Sequence, residues 1–291
     1  MAEVEIRPIT TLGEMKKIVH VQKTIWNSDD LETLPVHSLH AIQYNGGALF
    51  GAYDGDRLVG FVVGILGTVP SEGRRDQIAA ARLKMYSVIA GVLPEYQSQG
   101  VGYRLKLAQR DFCLNIGIRL ITWTYDPLES RNGRFNISKL GCVCRHYLRH
   151  FHGEMGGLNT GLPTDRFEVE WWVTSSRVEG RVVKQRRALS LDALIGGGSV
   201  LVNEATFNRE GLPVPPSNYV SRPGRLILVE IPADFQALKR VDMELARQWR
   251  EHSRHLFETL FQDGYLVTDF VFHTDQQGHQ RSFYLLTHQD A

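Results

Sequence analysis

The sequence predicts an α/β chain in which a mixed sheet flanked by helices is followed by a smaller strand-helix-strand-strand unit. Three observations predict it. Two apolar stretches, Ala48 to Tyr53 and Leu58 to Leu66, are joined through Asp54-Gly55-Asp56, which is a hairpin signal. A strand-helix-strand order follows them, and that combination gives a sheet of mixed direction. Between the strand-like run Met85 to Val92 and a helical spacing of Val101, Leu105, Ala108, Phe112 and Ile116 lies a turn rich in glycine and polar residues.

The remaining elements follow in chain order. Glu5 to Ile9 reads as a short first strand. Thr11 caps a helix carrying Met15, Ile18, Val21 and Ile25 that ends near Trp26 to Asp30. A short helical segment spans Ser38 to Tyr44. Gly67 to Arg82 is polar and contains glycine, as expected of a mobile loop. Arg119 to Asp126 is a strand with a polar tip. Strands at Val143 to Leu148 and Phe167 to Val173 follow, joined through Leu158 to Phe167, whose Asn, Gly, Pro and Asp favour a rigid turn. Beyond Thr174, Ser175 to Leu189 is polar and basic, with Arg181, Lys184, Arg186 and Arg187, and reads as a solvated face or linker. Gly196-Gly197-Gly198 is a turn before an apolar strand, and Pro213, Pro215, Pro216 and Pro223 mark an irregular connection. Then Arg225 to Ile231 is a strand. Asp234 caps one long helix with the stripe Leu238, Val241, Leu245, Trp249, Leu256 and Leu260, ended by Gly264. Tyr265 to His273 and Gln280 to Leu286 are strands joined by Asp275-Gln276-Gln277-Gly278. The domains expected are 1–174 and 175–291, the second supporting an acceptor site or making homodimer contacts.

Function is concentrated in the glycine turn. Gly100 and Gly102 stand where a strand feeds a helix, so unpaired N–H groups gather at a positive dipole end. Lacking Cβ atoms, they allow a bulky anion to approach that backbone. This is the composition of a diphosphate cradle. A dinucleotide fingerprint needs G-x-G-x-x-G and a later acidic residue, and a P-loop needs a lysine. The run Gln97-x-x-Gly100-x-Gly102 has neither a third glycine in place nor that lysine.

The lead-in Val92-Leu93-Pro94-Glu95-Tyr96, the Gln97-x-x-Gly100-x-Gly102 loop and the amphipathic helix behind them resemble the coenzyme A loop of the GNAT acetyltransferase superfamily. The segment Asn132 to Gly141 is similar to that family's later helix, which implies a helix here with Gly141 as its left-handed terminator. The likeness covers roughly Glu3 to Thr174. Trp123 to Asn132 and Gly161 to Phe167 are further similar to a group of predicted GNAT proteins with a long C-terminal extension. The resemblance implies a mostly antiparallel sheet and an acyl-CoA co-substrate, acetyl-CoA foremost. It also implies direct N-acyl transfer to the amine of a small molecule in a ternary complex. It assigns the coenzyme to Gly91, Val92, Leu93, Gln97, Ser98, Gln99, Gly100, Val101, Gly102 and Tyr103, with Asn132 beyond. The Val92 N–H would stabilise the carbonyl oxygen. Many members carry a tyrosine four residues before the terminal glycine, as acid for the leaving thiolate. Here that position is Ile137, and Ser138, Tyr125, His146, Tyr147 or water are the substitutes considered. Asp165, Arg166 and Glu129, with Ser130 and Arg131, are candidates for the acceptor, although 129–131 equally suit a helix cap. The alternative is an acyl-CoA-binding sensor or assembly protein without turnover.

Composition limits the classes further. A formal charge of +1 over 291 residues gives no electrostatic case for nucleic acid or an anionic membrane. The apolar runs are too short to span a bilayer and no signal-peptide pattern opens the chain, so a cytoplasmic enzyme is expected. Cys113, Cys142 and Cys144 are too few for a disulfide framework. Cys142-x-Cys144 beside His146, His150 and His152 lacks the second ligand pair of a zinc site, and no metal is expected. As strand neighbours, Cys142, Cys144 and His146 are expected to share one face, with the thiols as packing groups.

Overall fold

The computed structural model describes residues 4–26, 32–69, 83–154, 160–183, 189–219 and 224–288. By contact the chain divides into two compact units, one of 1–123 with 172–174, the other of 124–171 with 175–291. The sequence expectations for Asn27 to Asp30, Pro70 to Arg82, Leu158, Asn159, Lys184, Arg186, Arg187 and Pro223 lie outside the described residues.

In the first unit, β1 (Glu5–Pro8), α1 (Leu12–Trp26), α2 (Val36–Tyr44), β2 (Ala48–Asp54), β3 (Arg57–Thr68), β4 (Leu83–Val92) and α3 (Val101–Asn115) lead to β5 (Leu120–Tyr125). The strands lie in sequence order, antiparallel from β1 to β4, with β5 parallel to β4. α1 opens on a capping box: Glu14 N–H donates to Thr11 Oγ1 at 3.3 Å, and Thr11 N–H donates to Glu14 Oε2 at 3.1 Å. Central β3 is a near-continuous apolar run, as a strand covered on both faces requires. Met15 and Ile18 of α1 pack with Tyr53, Phe61, Val62 and Leu105 in this unit's core. The β2–β3 turn needs glycine at position 55, where φ is +56°.

Two departures from the expected pattern occur here. The buried face of α3 is Val101, Leu105, Lys106, Gln109 and Cys113, while Ile116 is 46% exposed. Two polar side chains occupy the core stripe, so an apolar periodicity pointed to the wrong azimuth. The other departure is a bulge. Gly64 pairs with Ser87 and Val63 with Ile89, leaving Val88 as an extra residue on β4.

The second unit holds α4 (Ser130–Gly133), a π-helical turn at Arg134–Lys139, β6 (Val143–Leu148), β7 (Arg166–Trp172), α5 (Ser176–Val182), α6 (Leu191–Gly196), β8 (Val200–Leu201), β9 (Thr206–Phe207), β10 (Pro213–Val214), β11 (Leu226–Pro232), α7 (Phe235–Val241), α8 (Met243–Gln262), β12 (Tyr265–Thr274) and β13 (Gln280–His288). Its sheet runs β7-β6-β12-β13-β11-β8, antiparallel except for β8. C-terminal strands therefore continue the sheet begun by β6 and β7. The buried stripe of α8, which includes Leu245, Trp249, Leu256, Phe257 and Leu260, packs toward that sheet.

Several expectations are corrected in this unit. The single helix expected from Asp234 to Gly264 is two, because Asp242 leaves helical geometry (φ −141°) and caps α8, accepting from Leu245 N–H at 2.8 Å. The segment 132–141 is a short α-turn passing into a π-turn, with Gly141 at φ +81° as terminator. His146 does not share the face of Cys142 and Cys144. The β6–β7 register slips between Cys144 and His146, which inverts the alternation and leaves the His146 side chain 53% exposed. The basic stretch is no solvated linker at its start. Arg181 lies 2.5 Å from Asp269 and donates to Ser138 O, and Arg177 Nε donates to Gly141 O. The helix α6, which ends at Gly196, departs from the expected turn.

Inside this unit, Asn203 Nδ2 lies 3.1 Å from His252 Nε2, and burial pushes the His252 pKa down to about 4. The imidazole stays neutral in the fold while the unfolded chain gains a proton below its ordinary value near 6.5. Stability is therefore expected to fall as pH drops from about 6.5 to 4 and to lose this component of its slope below that. His252→Gln, which preserves a neutral acceptor, should flatten this part of a denaturation-midpoint profile against pH.

Candidate coenzyme and acceptor site

The loop after β4 is held by its own side chains. Leu93 N–H donates to Val59 O at 2.9 Å, Pro94–Tyr96 forms a 3₁₀ turn, and Tyr96 N–H returns to Leu93 O. Gln97 Nε2 donates to Val92 O at 3.0 Å and Gln99 Nε2 to Glu95 O at 2.7 Å. Tyr96 Oη donates to Asp54 Oδ2 at 2.6 Å, and Arg57 lies 2.7 Å from Glu95, so the β2–β3 turn braces the loop. Gln97 thus fixes the loop through Val92 O in this arrangement.

Two positive-φ residues shape the turn into α3, Ser98 at +62° and Gly100 at +82°. Glycine is favoured at Gly100 by its backbone angle alone, since an added Cβ would meet nothing within 4 Å. Gly102 has the opposite logic. It lies in the first turn of α3, where ordinary side chains fit, and an added Cβ would find only Val92 Cγ2 at 3.8 Å. Neither packing nor dihedral demands glycine there, so its effect is to leave the face above the helix N-terminus open. The first intrahelical bond is Arg104 N–H to Gly100 O, which leaves the Val101 and Gly102 N–H groups ahead of the ladder. These features fit a diphosphate.

Beside this loop, β4 has a free edge. Among the described residues its parallel pairing with β5 comprises Met85 with Ile121 and Tyr86 with Thr122. No further β4–β5 pair occurs among the described residues. Leu93 N–H is directed at β3, so strand alternation directs the Val92 N–H and C=O to the opposite edge. Gly91 is required by packing, since a Cβ there would sit 2.7 Å from Ile25 and Trp26 of α1.

Asn132, Tyr125, Tyr147, Glu129, Asp165 and Arg166 belong to the second unit. The Asn132 side chain is exposed. Tyr125 is buried, with its hydroxyl 3.1 Å from that of Tyr284, which donates to Pro127 O at 2.9 Å. Burial, reinforced by Tyr284, pushes the Tyr125 pKa well above the ordinary phenol value. Tyr147 Oη donates to Asp165 Oδ2 at 2.8 Å, and burial raises its pKa likewise. Ile137 is fully buried.

Asp165 is itself buried. Burial works to raise its pKa, but Arg254 at 2.8 and 3.0 Å, the His150 N–H and Tyr147 hold it below the usual carboxylate range. Those four hydrogen bonds use both oxygens. Arg166 donates to Asp165 O at 2.9 Å and lies 3.8 Å from Asp126. Burial lowers its pKa, with Asp126 opposing. Glu129 sits at the N-cap of α4 without a capping bond from its side chain; it accepts instead from Gln236 Nε2 at 2.5 Å, and burial raises its pKa.

Sequence reading missed Arg250 of α8. It is 2% exposed, and Nη2 contacts Asp126 Oδ2 at 2.5 Å. Its buried Nε and Nη1 make no hydrogen bond among the described residues. Two buried guanidinium groups, of Arg166 and Arg250, thus approach one Asp126 carboxylate. The only available signal was a charged residue inside the apolar stripe of α8. Among the described residues no group of three or more His, Cys, Asp or Glu is placed to hold a metal ion. No described helix is long and apolar enough to cross a membrane.

No protein-family model and no curated protein matches the sequence. The chain is similar to solved acetyltransferase structures. One is Arabidopsis thaliana NAA60 in complex with acetyl-CoA, at 14% identity and TM-score 0.47, covering 58% of this chain and 99% of that one. The ribosomal-protein-S18-alanine N-acetyltransferase from Escherichia coli aligns at 12% identity and TM-score 0.45, over 60% and 96% of the two chains. A putative acetyltransferase from Salmonella typhimurium with its cofactor acetyl-CoA aligns at 15% identity and TM-score 0.44, over 60% and 97%.

Proposed function

We propose that the chain is an acyl-CoA-dependent N-acyltransferase of the GNAT type, with acetyl-CoA as the foremost donor and the amine of a small molecule as acceptor. One observation carries the reading: an open glycine-lined helix N-terminus at Gly100 to Gly102 follows, after one 3₁₀ turn, a strand whose described pairing with β5 stops at Tyr86, short of Val92. A diphosphate and an extended amide-bearing arm, joined as in coenzyme A, match those two features in order. When bound, the co-substrate supplies an activated thioester.

The chain's own groups do the rest. The Val101 and Gly102 N–H groups hold the diphosphate, with Ser98, Gln99 and Tyr103 lining the turn. The edge from Gly91 to Leu93 aligns the arm, and the Val92 N–H stabilises charge on the carbonyl oxygen. Alignment of two reactants provides most of the rate. With Ile137 in place of the family tyrosine and both Tyr125 and Tyr147 shifted away from neutrality, we assign the leaving thiolate's proton to solvent. A thiol ionises near pH 8.5, so the thiolate leaves tolerably without an acid. For the acceptor we propose a charged group recognised by residues of the second unit, Arg166 and Glu129 with the Arg250 donors beside Asp126, while Asp165 is engaged by Arg254, Tyr147 and the His150 N–H. Residues 1–174 would carry the coenzyme and 175–291 complete the acceptor side.

The test measures thiol release from acetyl-CoA across an amine panel and against pH. An amine must lose its proton to attack, so the rate should rise with pH through neutrality. Saturable acyl-CoA binding without release for any amine would favour the sensor reading. A flat profile with chemistry rate-limiting would exclude an amine acceptor.

A further inference from the structure

The fork between β4 and β5 contains a cation. Lys106, on α3, is 4% exposed. Its Nζ donates to Ser87 Oγ at 2.7 Å and to Gln109 Oε1 at 3.2 Å, and stands 3.8 Å from the centroid of the Trp123 ring. The last pair joining the strands is Tyr86 with Thr122. Ser87 and Trp123 are therefore the first residue of each strand past the final rung, and the ammonium contacts both. Gly64, on β3, lacks the Cβ that would come within 2.7 Å of the Gln109 amide, so the third partner is accommodated by a backbone choice. Ser87 immediately precedes the bulged Val88.

A buried lysine is costly unless its charge is compensated, and an apolar residue would fill a core position on α3 at no such cost. Two neutral oxygens and a ring face are among the groups that compensate it, the ring worth most when desolvated. We infer that Lys106 is a positioning residue for the coenzyme arm: it clamps Ser87 and Trp123 so that β4 and β5 stay parted and the edge toward Val92 stays available for pairing. The inference rests on the acyl-CoA reading above, and the geometry gives it a separate signature. The cradle at Gly100 to Gly102 binds the diphosphate, whereas the Lys106 clamp acts on the arm alone.

The experiment compares coenzyme A with ADP, which carries the diphosphate and no arm, by calorimetry on the full chain. Lys106→Met keeps length and volume and removes the charge. It should weaken coenzyme A about tenfold and leave ADP within about twofold. Ser87→Ala removes one oxygen, is the gentler variant should Lys106→Met fail to fold, and should show the same split at smaller size. Unchanged coenzyme A affinity in a folded variant overturns the inference, as does an equal loss for both ligands, which reports general loosening. Absence of coenzyme A binding in the unsubstituted protein would instead defeat the acyl-CoA reading, before any variant is made.

Discussion

Gly100→Asp is expected to abolish coenzyme A binding, a loss of at least about a hundredfold, in a protein that remains folded. Position 100 has φ +82° and open space around it, so the side chain itself meets no obstacle. Asparagine and aspartate tolerate the left-handed region better than other residues, at a cost of order 1 kcal/mol. The decisive change is a carboxylate at a site built to hold a diphosphate. Gly100→Asn separates the contributions, since it matches shape and backbone strain without the charge. Calorimetry should show a modest loss for asparagine and no measurable binding for aspartate. Equal, unaltered affinities in both variants would remove the cradle from the proposed function.

The other large effect is deletion of 175–291, which should give insoluble or inactive protein although the coenzyme loop is intact. The cut passes through the second unit rather than beside it. β12 pairs with β6 at Val267 and Cys144, so the sheet loses its continuation. Phe167 keeps Tyr125 and Tyr147 but loses the rings of Phe257, Phe261 and Tyr284, at 4.7, 5.6 and 5.5 Å. Each large apolar side chain uncovered costs about 1.5–3 kcal/mol. Asp165 and Asp126 lose Arg254 and Arg250, leaving Tyr147 and the His150 N–H on the first and Arg166 at 3.8 Å from the second. A domain's whole stability is about 5–15 kcal/mol, so losses of this kind are comparable with what is available. A soluble, monomeric truncation with full coenzyme affinity and transfer rate would show the extension to be independent.

What could be read from the chain depended on whether a local rule or a long-range contact decided each position. Thr11, Asp234, Gly141 and the Asp54-Gly55-Asp56 turn were legible because caps and tight turns are settled by the residues at that spot. Gly100 and Gly102 were legible as a turn, though only the structure separates their reasons, dihedral for one and open space for the other. Lys106 and Gln109 were missed because binary patterning treats polar residues as outward-facing, while here Ser87 and Trp123 provide partners from other elements. Arg250 was missed for the same reason, its carboxylate lying 124 residues away in sequence. The phase of His146 escaped because one extra residue in a strand inverts inside and outside, and no composition signal marks it. Asp242 was read as one more polar position in a long helix, whereas its side chain ends one helix and starts the next.

The thiols have a consequence for measurement. Cys113, Cys142 and Cys144 are all buried. Burial pushes the Cys113 pKa up to about 12 and that of Cys144 well above its ordinary value. Thiol-directed reagents react with thiolate, so the protein's own sulfur is nearly silent toward them at neutral pH while the fold is intact. Coenzyme A released into solution ionises as an ordinary thiol and stands out against that background. The same reagents serve as a clock for unfolding, because sulfur from this chain becomes reactive only when the interior opens.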